Sequence, residues 1–273
     1  MISIFKPKKI KDFNPKGLNI YTFKAGFKKK SKDLLIIIFD KVINVACVYS
    51  KSSTPSAPII WDKKNNKGRV KALIVNAGNA NAHTGDEGII TIDKYVKALS
   101  KKIQCKSNEV LVSSTGVIGE KLNHNLIIQK FQKLNFQNKS SLLEGAKSIM
   151  TTDTFPKVYI KKINLDNQSF NIYGIAKGSG MIQPNMGTML VYIFIECKVP
   201  LQKINKLIKN NLDKTFNSIT VDSDTSTSDT LMMFSVGNEN INLNKKNFKI
   251  LNHKIYELMH DLSLQVIKDG EGI

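Results

Sequence analysis

The amino-acid sequence predicts a layered fold in which helices and strands are mixed, of α/β or α+β type. Apolar runs rich in β-branched residues recur along the chain and have the length of strands. Other segments carry apolar residues at helical spacing. The two kinds of element do not alternate strictly, which argues against a simple doubly wound parallel sheet.

Several predicted strands are apolar on both faces, which is typical of central strands. They cover residues 34–39, 42–48, 70–75, 110–112, 158–163, 169–175, 189–195 and 231–236. The predicted helices each carry one apolar stripe, which we interpret as core packing. The stripes are Ile92, Val96, Leu99 and Ile103; Leu126, Ile127, Phe131 and Leu134; Ile204, Leu207, Ile208, Leu212 and Phe216; and Ile255, Leu258, Leu262 and Val266.

The chain has 273 residues, of which 41% are hydrophobic, enough for one large domain or two small ones. A mild boundary around residues 197–200 predicts an N-terminal domain over 1–196 and the start of a C-terminal domain over 197–273. No apolar run reaches the roughly 20 residues of a membrane helix. The N-terminus also lacks the apolar core of a signal peptide. We therefore expect no membrane partner.

The cysteines indicate the compartment. There are three, Cys47, Cys105 and Cys197, and they show neither disulfide nor zinc spacing. A reducing, cytoplasmic location is therefore expected.

The formal net charge of +19 raises the alternative of a lysine-rich nucleic-acid-binding module. We favour a compositional bias instead, because Arg69 is the only arginine. Arginine is the residue preferred for bidentate hydrogen bonds to phosphate and guanine. The lysines are also spread through every segment, without interleaved aromatic residues. We expect no nucleic-acid partner.

Polar segments follow or precede the apolar strands, where sites are usually built. Because each is dense in hydroxyl and carboxamide groups, together they predict a shared polar pocket. In chain order they read NAGNANAHTGDEG, SSTGVIGE, MTTDTFPK, AKGSGMIQPNMGT and VDSDTSTSDT.

Familiar site motifs fail in these segments. No phosphate-binding P-loop is present. The acidic run from Asp222 resembles a calcium loop, but Thr227 and Met233 stand where glycine and glutamate are needed, so no metal is expected. We interpret Asp222, Asp224 and Asp229 as structural residues that hold loop amides.

No histidine is placed as an obvious base, which directs attention to the Gly187-Thr188 pair before an apolar strand. A threonine freed at a new N-terminus can use its own α-amine as the base for its hydroxyl. A glycine before it allows the backbone distortion that self-cleavage requires. The alternative is a plain glycine turn that opens the strand, since such pairs are common in turns.

Taken together and in order, these segments resemble the signatures of the ornithine acetyltransferase family (ArgJ type). The ending KDGEG is similar to a further motif of that family, and the resemblance runs through essentially the whole chain. It implies the α-β-β-α layered fold shared with autoprocessed aminopeptidases. It also implies a glutamate N-acetyltransferase of arginine biosynthesis that moves acetyl from N-acetylornithine to glutamate. The resemblance implies no tightly bound cofactor, although some members also use acetyl-CoA as donor.

The resemblance assigns roles to particular residues. It implies cleavage between Gly187 and Thr188 into α and β chains that associate further, with Thr188 as nucleophile. Thr115 and Gly116 match the oxyanion-hole pair. The substrate-binding matches are Lys177, Glu271 and one threonine of the TTD segment, for which Thr151 and Thr152 both remain candidates.

Three departures from the family pattern stand out. Gly187 replaces the usual alanine, and His83 stands where cysteine is common. Relatives are expected to continue for roughly another hundred residues, about one small domain. An amidase or aminopeptidase of the same fold group, with water as acceptor, remains the alternative within this class.

Overall fold

The computed structural model describes residues 2–134, 139–166, 168–183 and 189–272. Strands and helices are mixed along the chain. In chain order they are β1 (Leu18–Phe23), β2 (Leu34–Tyr49), α1 (Ala57–Asn65), β3 (Arg69–Asn79), α2 (Asp86–Ile103), β4 (Val110–Val117), α3 (His124–Phe131), α4 (Leu142–Ser148), β5 (Lys157–Leu165), β6 (Gln168–Lys177), β7 (Leu190–Ile195), α5 (Leu201–Asn211), β8 (Thr230–Ser235) and α6 (Lys245–Lys268).

The long strand β2 connects the two halves of the fold. The hydrogen-bonded order is β4-β3-β2-β8-β7-β6-β5, with β1 also beside β2. The β3–β4 and β7–β8 pairs are parallel and the others are antiparallel. The register of β2 against β3 shifts between Ile38 and Ile43, so the strand changes course there. The predicted strands 34–39 and 42–48 are therefore two parts of one strand.

The two ends of this sheet face each other across a common core. Leu73 of β3 and Leu111 of β4 belong to the same buried cluster as Tyr173 of β6 and Tyr192 of β7. Neither β3 nor β4 is hydrogen-bonded to β6 or β7, so the sheet must fold over at β2 into two packed layers.

Helices cover the outer face of each layer. α1, α2 and α3 pack on β2, β3 and β4, while α5 and α6 pack on β6, β7 and β8. α2 buries the predicted stripe residues Ile92, Val96 and Leu99. The result is the predicted α-β-β-α layered fold, which is thereby confirmed.

The division into 1–196 and 197–273 stays a prediction. β8, from the second part, pairs with both β2 and β7 of the first part. Among the described residues, no helix combines the length and the apolar character needed to cross a bilayer.

Candidate active site

The ends of β4, β6 and β7 bring the polar segments together. Every second residue of a strand lies on the same face. Leu111 lies in the core between the sheets. Thr115 follows it by four residues, so its side chain lies on the same inner face of β4. Tyr173 and Ile175 place Lys177 on the inner side of β6 in the same way. Both polar side chains therefore lie where the core between the sheets ends.

Lys177 connects three predicted site segments. Its Nζ donates to Thr115 Oγ1 at 3.0 Å and to Thr151 Oγ1 at 2.8 Å. Only 3% of Lys177 is exposed, so these contacts lie in a protected pocket. The structure thus brings Thr115, Thr151 and Lys177 together.

A buried ion-pair network fixes the TTD segment that carries Thr151. Asp153 Oδ1 lies 2.7 Å from Lys157 Nζ and accepts the Gly178 N–H at 2.8 Å. Lys157 Nζ also lies 2.6 Å from Asp269 Oδ2, just beyond α6. All three charged side chains are fully buried. A buried charge needs such partners, because an unpaired one would lose its hydration without compensation.

The charges in this pocket shift one another's protonation. Burial lowers the pKa of Lys177, and the nearby carboxylate of Asp153 opposes that shift. Burial would raise the pKa of Asp153, but Lys177 and Lys157 outweigh it and hold the pKa at about 2. Asp153 is therefore ionised at neutral pH and supplies the negative charge beside Lys177.

Gly116 lies where two backbones meet closely. Its φ is +128°, and a Cβ there would lie 2.3 Å from the carbonyl carbon of Gly78. Only glycine combines that backbone angle with that contact. Gly116 directly follows Thr115 at the end of β4 and is exposed.

Glu271 and Thr152 lie around the turn that follows Lys177. The Glu271 N–H donates to Ser179 O at 2.7 Å. The carboxylate of Glu271 packs against Gly180. The hydroxyls of Thr152 and Ser179 lie 2.7 Å apart. Thr151 therefore contacts Lys177 directly, whereas Thr152 contacts the turn. The substrate roles of Thr151, Thr152 and Glu271 remain predictions.

Gly187 and Thr188 lie outside the described residues, and their roles remain predictions. Ile182 and Met189, described residues on either side of this gap, are held by the 220–230 segment. Asp229 Oδ1 accepts the Met189 N–H at 2.8 Å, and Asp222 Oδ1 accepts the Ile182 N–H at 2.8 Å. The predicted structural role is confirmed for these two aspartates. Burial raises the pKa of Asp229 well above its usual range.

β7 starts next to the lysine. In the sheet, Leu190 pairs with Lys177 on one side and with Thr230 on the other. The first described residue after the gap, Met189, is buried and lies at the same strand end.

Sequence reasoning missed four charged residues of this region. They are Lys28, which reaches the backbone of the segment before Thr151, and the network members Asp153, Lys157 and Asp269. Lys28 begins a Lys-Lys-Lys run, so nothing in the sequence distinguishes it from its solvated neighbours. Asp153 and Lys157 lie inside the MTTDTFPK segment already assigned to the pocket, and Asp269 lies inside KDGEG, so these three residues carry a signal in the sequence.

The chain is similar to known proteins over most of its length. The sequence profile of the ArgJ family matches residues 19–273. The arginine biosynthesis bifunctional protein ArgJ of Bartonella henselae is 40% identical over 263 residues. That match covers 94% of this chain but 64% of the relative, so the chain spans just under two thirds of that protein's length.

Solved structures share the fold. The arginine biosynthesis bifunctional protein of Bacillus halodurans has a TM-score of 0.58 and 29% identity, over 64% of this chain and 92% of its own. The ornithine acetyltransferase of Mycobacterium tuberculosis, complexed with ornithine, has a TM-score of 0.51 and 25% identity, over 64% and 94%. The L-aminopeptidase D-Ala-esterase/amidase of Ochrobactrum anthropi has a TM-score of 0.52 and 10% identity, over 93% of this chain and 84% of its own. At that identity the likeness shows the fold alone. On its profile match and its identity to curated relatives, the chain belongs to the ArgJ family.

Proposed function

We propose that this protein is a self-cleaving acetyltransferase of arginine biosynthesis that works in the cytoplasm. It moves acetyl from N-acetylornithine to glutamate, through an ester on Thr188. The observation that carries the proposal is the contact of Lys177 with both Thr115 and Thr151 in a buried pocket. Membership of the ArgJ family and the ornithine complex of the Mycobacterium tuberculosis relative support the substrate class.

The hydrogen bond from Lys177 orients the Thr115 hydroxyl for catalysis. Thr115 Oγ1 accepts a hydrogen bond from Lys177 Nζ, so its own proton remains free to be donated. Acyl transfer passes through tetrahedral intermediates with a negative oxygen, and one strong donor to that oxygen is worth roughly 3–4 kcal/mol. Thr115 and the N–H of Gly116 are the two proposed donors. The ammonium of Lys177 adds a positive charge behind the hydroxyl.

Thr188 supplies the nucleophile in this proposal. Cleavage of the Gly187–Thr188 bond frees the α-amine of Thr188, which takes the hydroxyl proton as the oxygen attacks the acetyl carbonyl. Ornithine leaves with the proton, and glutamate attacks the acetyl ester in a second step. Ping-pong kinetics follow from this order. In this proposal Glu271 pairs with the substrate's ammonium group.

The α and β chains formed by cleavage are proposed to remain paired and to associate further. Acetyl-CoA is a second candidate donor, and no other cofactor is invoked.

Acetyl transfer tests the proposal directly. The purified protein is incubated with isotope-labelled N-acetylornithine and glutamate, beside Thr188→Ala, and the products are separated. Labelled N-acetylglutamate from the wild type, with none from the variant, is the expected result. Labelled free acetate without N-acetylglutamate would replace the proposal with the amidase alternative. Strongly salt-dependent binding to RNA or DNA with no turnover would favour the nucleic-acid-binding module.

A further inference from the structure

Lys28 lies on a rigid turn between β1 and β2. The buried carboxylate of Asp33 accepts three backbone N–H groups of this turn: Ala25 at 2.5 Å, Gly26 at 3.0 Å and Lys28 at 2.8 Å. Asp33 itself has no exposed surface. The carboxylate thus fixes the backbone of the turn and, with it, the starting point of the Lys28 side chain.

The turn packs against the proposed oxyanion hole. A Cβ at Gly78 would lie 2.7 Å from the carbonyl oxygen of Phe27, and one at Gly116 would lie 2.3 Å from Gly78. Three backbone segments are therefore in direct contact, and Lys28 follows the first of them. This places Lys28 beside the pocket formed by Thr115 and Lys177.

The side chain of Lys28 reaches the segment that carries Thr151. Its Nζ donates to Met150 O at 2.9 Å and to Ser148 O at 3.3 Å. An ammonium has three N–H donors, so one remains for another partner. Met150 precedes Thr151, whose hydroxyl contacts Lys177. Lys28 and Lys177 therefore approach the same short segment.

The charge of Lys28 has no ion-pair partner within the described ranges of the chain. Its two hydrogen-bond acceptors are neutral carbonyls, and Asp33 is engaged with backbone N–H groups. Partial burial lowers the pKa of Lys28, Asp33 and Asp153 oppose that shift, and the positive charge of Lys177 adds to it. A half-buried cation next to another cation favours an anionic ligand.

Lys177 is less available for that ligand. It is fully buried, it donates to two hydroxyls, and Asp153 lies close enough to stabilise its charge. Resting on the proposed acetyl transfer, we propose that Lys28 binds the α-carboxylate of the amino-acid substrates at the rim of the site. Both N-acetylornithine and glutamate carry this group. The remaining N–H of Lys28 makes a charge-assisted hydrogen bond to it.

A donor without the carboxylate isolates this contact. N-acetylputrescine keeps the acetylated amine and the distal ammonium of N-acetylornithine but lacks the α-carboxylate. We expect Lys28→Met to raise KM for N-acetylornithine roughly 10- to 100-fold, the usual effect of a lost charged hydrogen bond, with little change in kcat. KM for N-acetylputrescine stays unchanged, and Lys28→Arg retains most of the preference for the carboxylate.

Controls separate this role from folding. Lys30→Met changes an exposed lysine of the same run and leaves both KM values unchanged. Lys28→Met keeps the backbone N–H that Asp33 binds but loses the hydrogen bonds to Met150 O and Ser148 O, so we expect a small fall in melting temperature and unchanged self-cleavage. Equal changes in KM for both donors, or an unchanged KM for N-acetylornithine, would overturn the inference while leaving the acetyl transfer intact.

Binding gives a readout that needs no turnover. Calorimetric titration of Thr188→Ala with the two donors is expected to show the same 10- to 100-fold preference for N-acetylornithine, lost when Lys28→Met is added. Equal affinities for the two donors, or no binding of either, would overturn the inference. An inactive wild type that still shows the Lys28-dependent preference would instead overturn only the proposed transfer reaction.

Discussion

Lys177 fixes the orientation of the Thr115 hydroxyl, because Thr115 Oγ1 accepts its hydrogen bond at 3.0 Å. Thr115→Val keeps the shape of the side chain and removes the donor. We expect kcat for acetyl transfer to fall roughly 100- to 1000-fold with little change in KM, since the proposed contact between Thr115 and the oxyanion forms mainly in the transition state. Thr115→Ser retains the hydroxyl and should keep most of the activity. Equal activity of Thr115→Val and wild type in steady-state assays would remove Thr115 from the mechanism.

Asp153 makes the stability of the protein depend on acid. Its pKa is about 2 in the folded protein against 3.8 for the free side chain. The stabilisation is therefore fully present above about pH 4 and is lost as the pH falls toward 2. Between pH 5 and pH 3, about 1 kcal/mol of the free energy of unfolding is lost through this group.

Urea unfolding at pH 5, 4 and 3 measures this dependence. Asp153→Asn is less stable throughout, because Lys157 keeps a single carboxylate partner, but its stability falls less steeply with acid. If the free energy of unfolding depended on pH equally in the variant and the wild type, Asp153 would not be held ionised by Lys177 and Lys157.

At the scale of elements, the approach of β3 and β4 depends on Gly116 and Gly78. Gly116→Ala introduces a backbone clash and strain at a positive φ, so we expect a loss of more than about 2 kcal/mol of unfolding free energy. Gly119→Ala is the matched control. Gly119 has φ +86° but open space around it, so Gly119→Ala should lower the free energy of unfolding by about 1–2 kcal/mol through backbone strain alone. Equal losses of unfolding free energy for Gly116→Ala and Gly119→Ala, in thermal or urea unfolding, would show that the close contact does not contribute to stability.

The elements most visible in the sequence are the long apolar ones. The strands on the inner layers and the helices α2, α5 and α6 follow from their patterns, since burial on one or both faces dictates composition. The helices α1 and α4 are short, with 9 and 7 residues, and give too few turns for a periodic signal. The edge strand β1 lies outside the strands that the sequence predicts. β2 was predicted as two strands because the polar Asp40 and Lys41 interrupt its apolar run at the register shift.

The candidate site was predictable only in part. Thr115, Thr151 and Lys177 lie in segments whose composition marks strand ends, and the structure brings them together. Their grouping required the order of motifs, because no spacing rule joins residues 62 positions apart. Lys28 is not predictable, since its importance comes from contacts across the fold and not from neighbours in the chain.

At the scale of the whole molecule, two packed sheets hold the strand ends in register. Phe234 of β8 stacks on Phe194 of β7 with ring centroids 5.2 Å apart, and it contacts Phe39 of β2 at 5.0 Å. Phe234→Ala leaves a cavity in the core between the sheets, and we expect a loss of about 3–5 kcal/mol. Val117→Ala, at a half-exposed position, is the control and costs little. A small loss for Phe234→Ala in urea unfolding would contradict the two-layer core.

In the proposed mechanism Thr188 becomes a new N-terminus and carries the acetyl group. Intact-mass spectrometry of the purified protein, before and after N-acetylornithine is added, detects both events. We predict fragments 1–187 and 188–273, with the second fragment gaining the mass of one acetyl group, and a single uncut chain for Thr188→Ala. A wild type that transfers acetyl while it remains one uncut, unmodified chain would contradict the account.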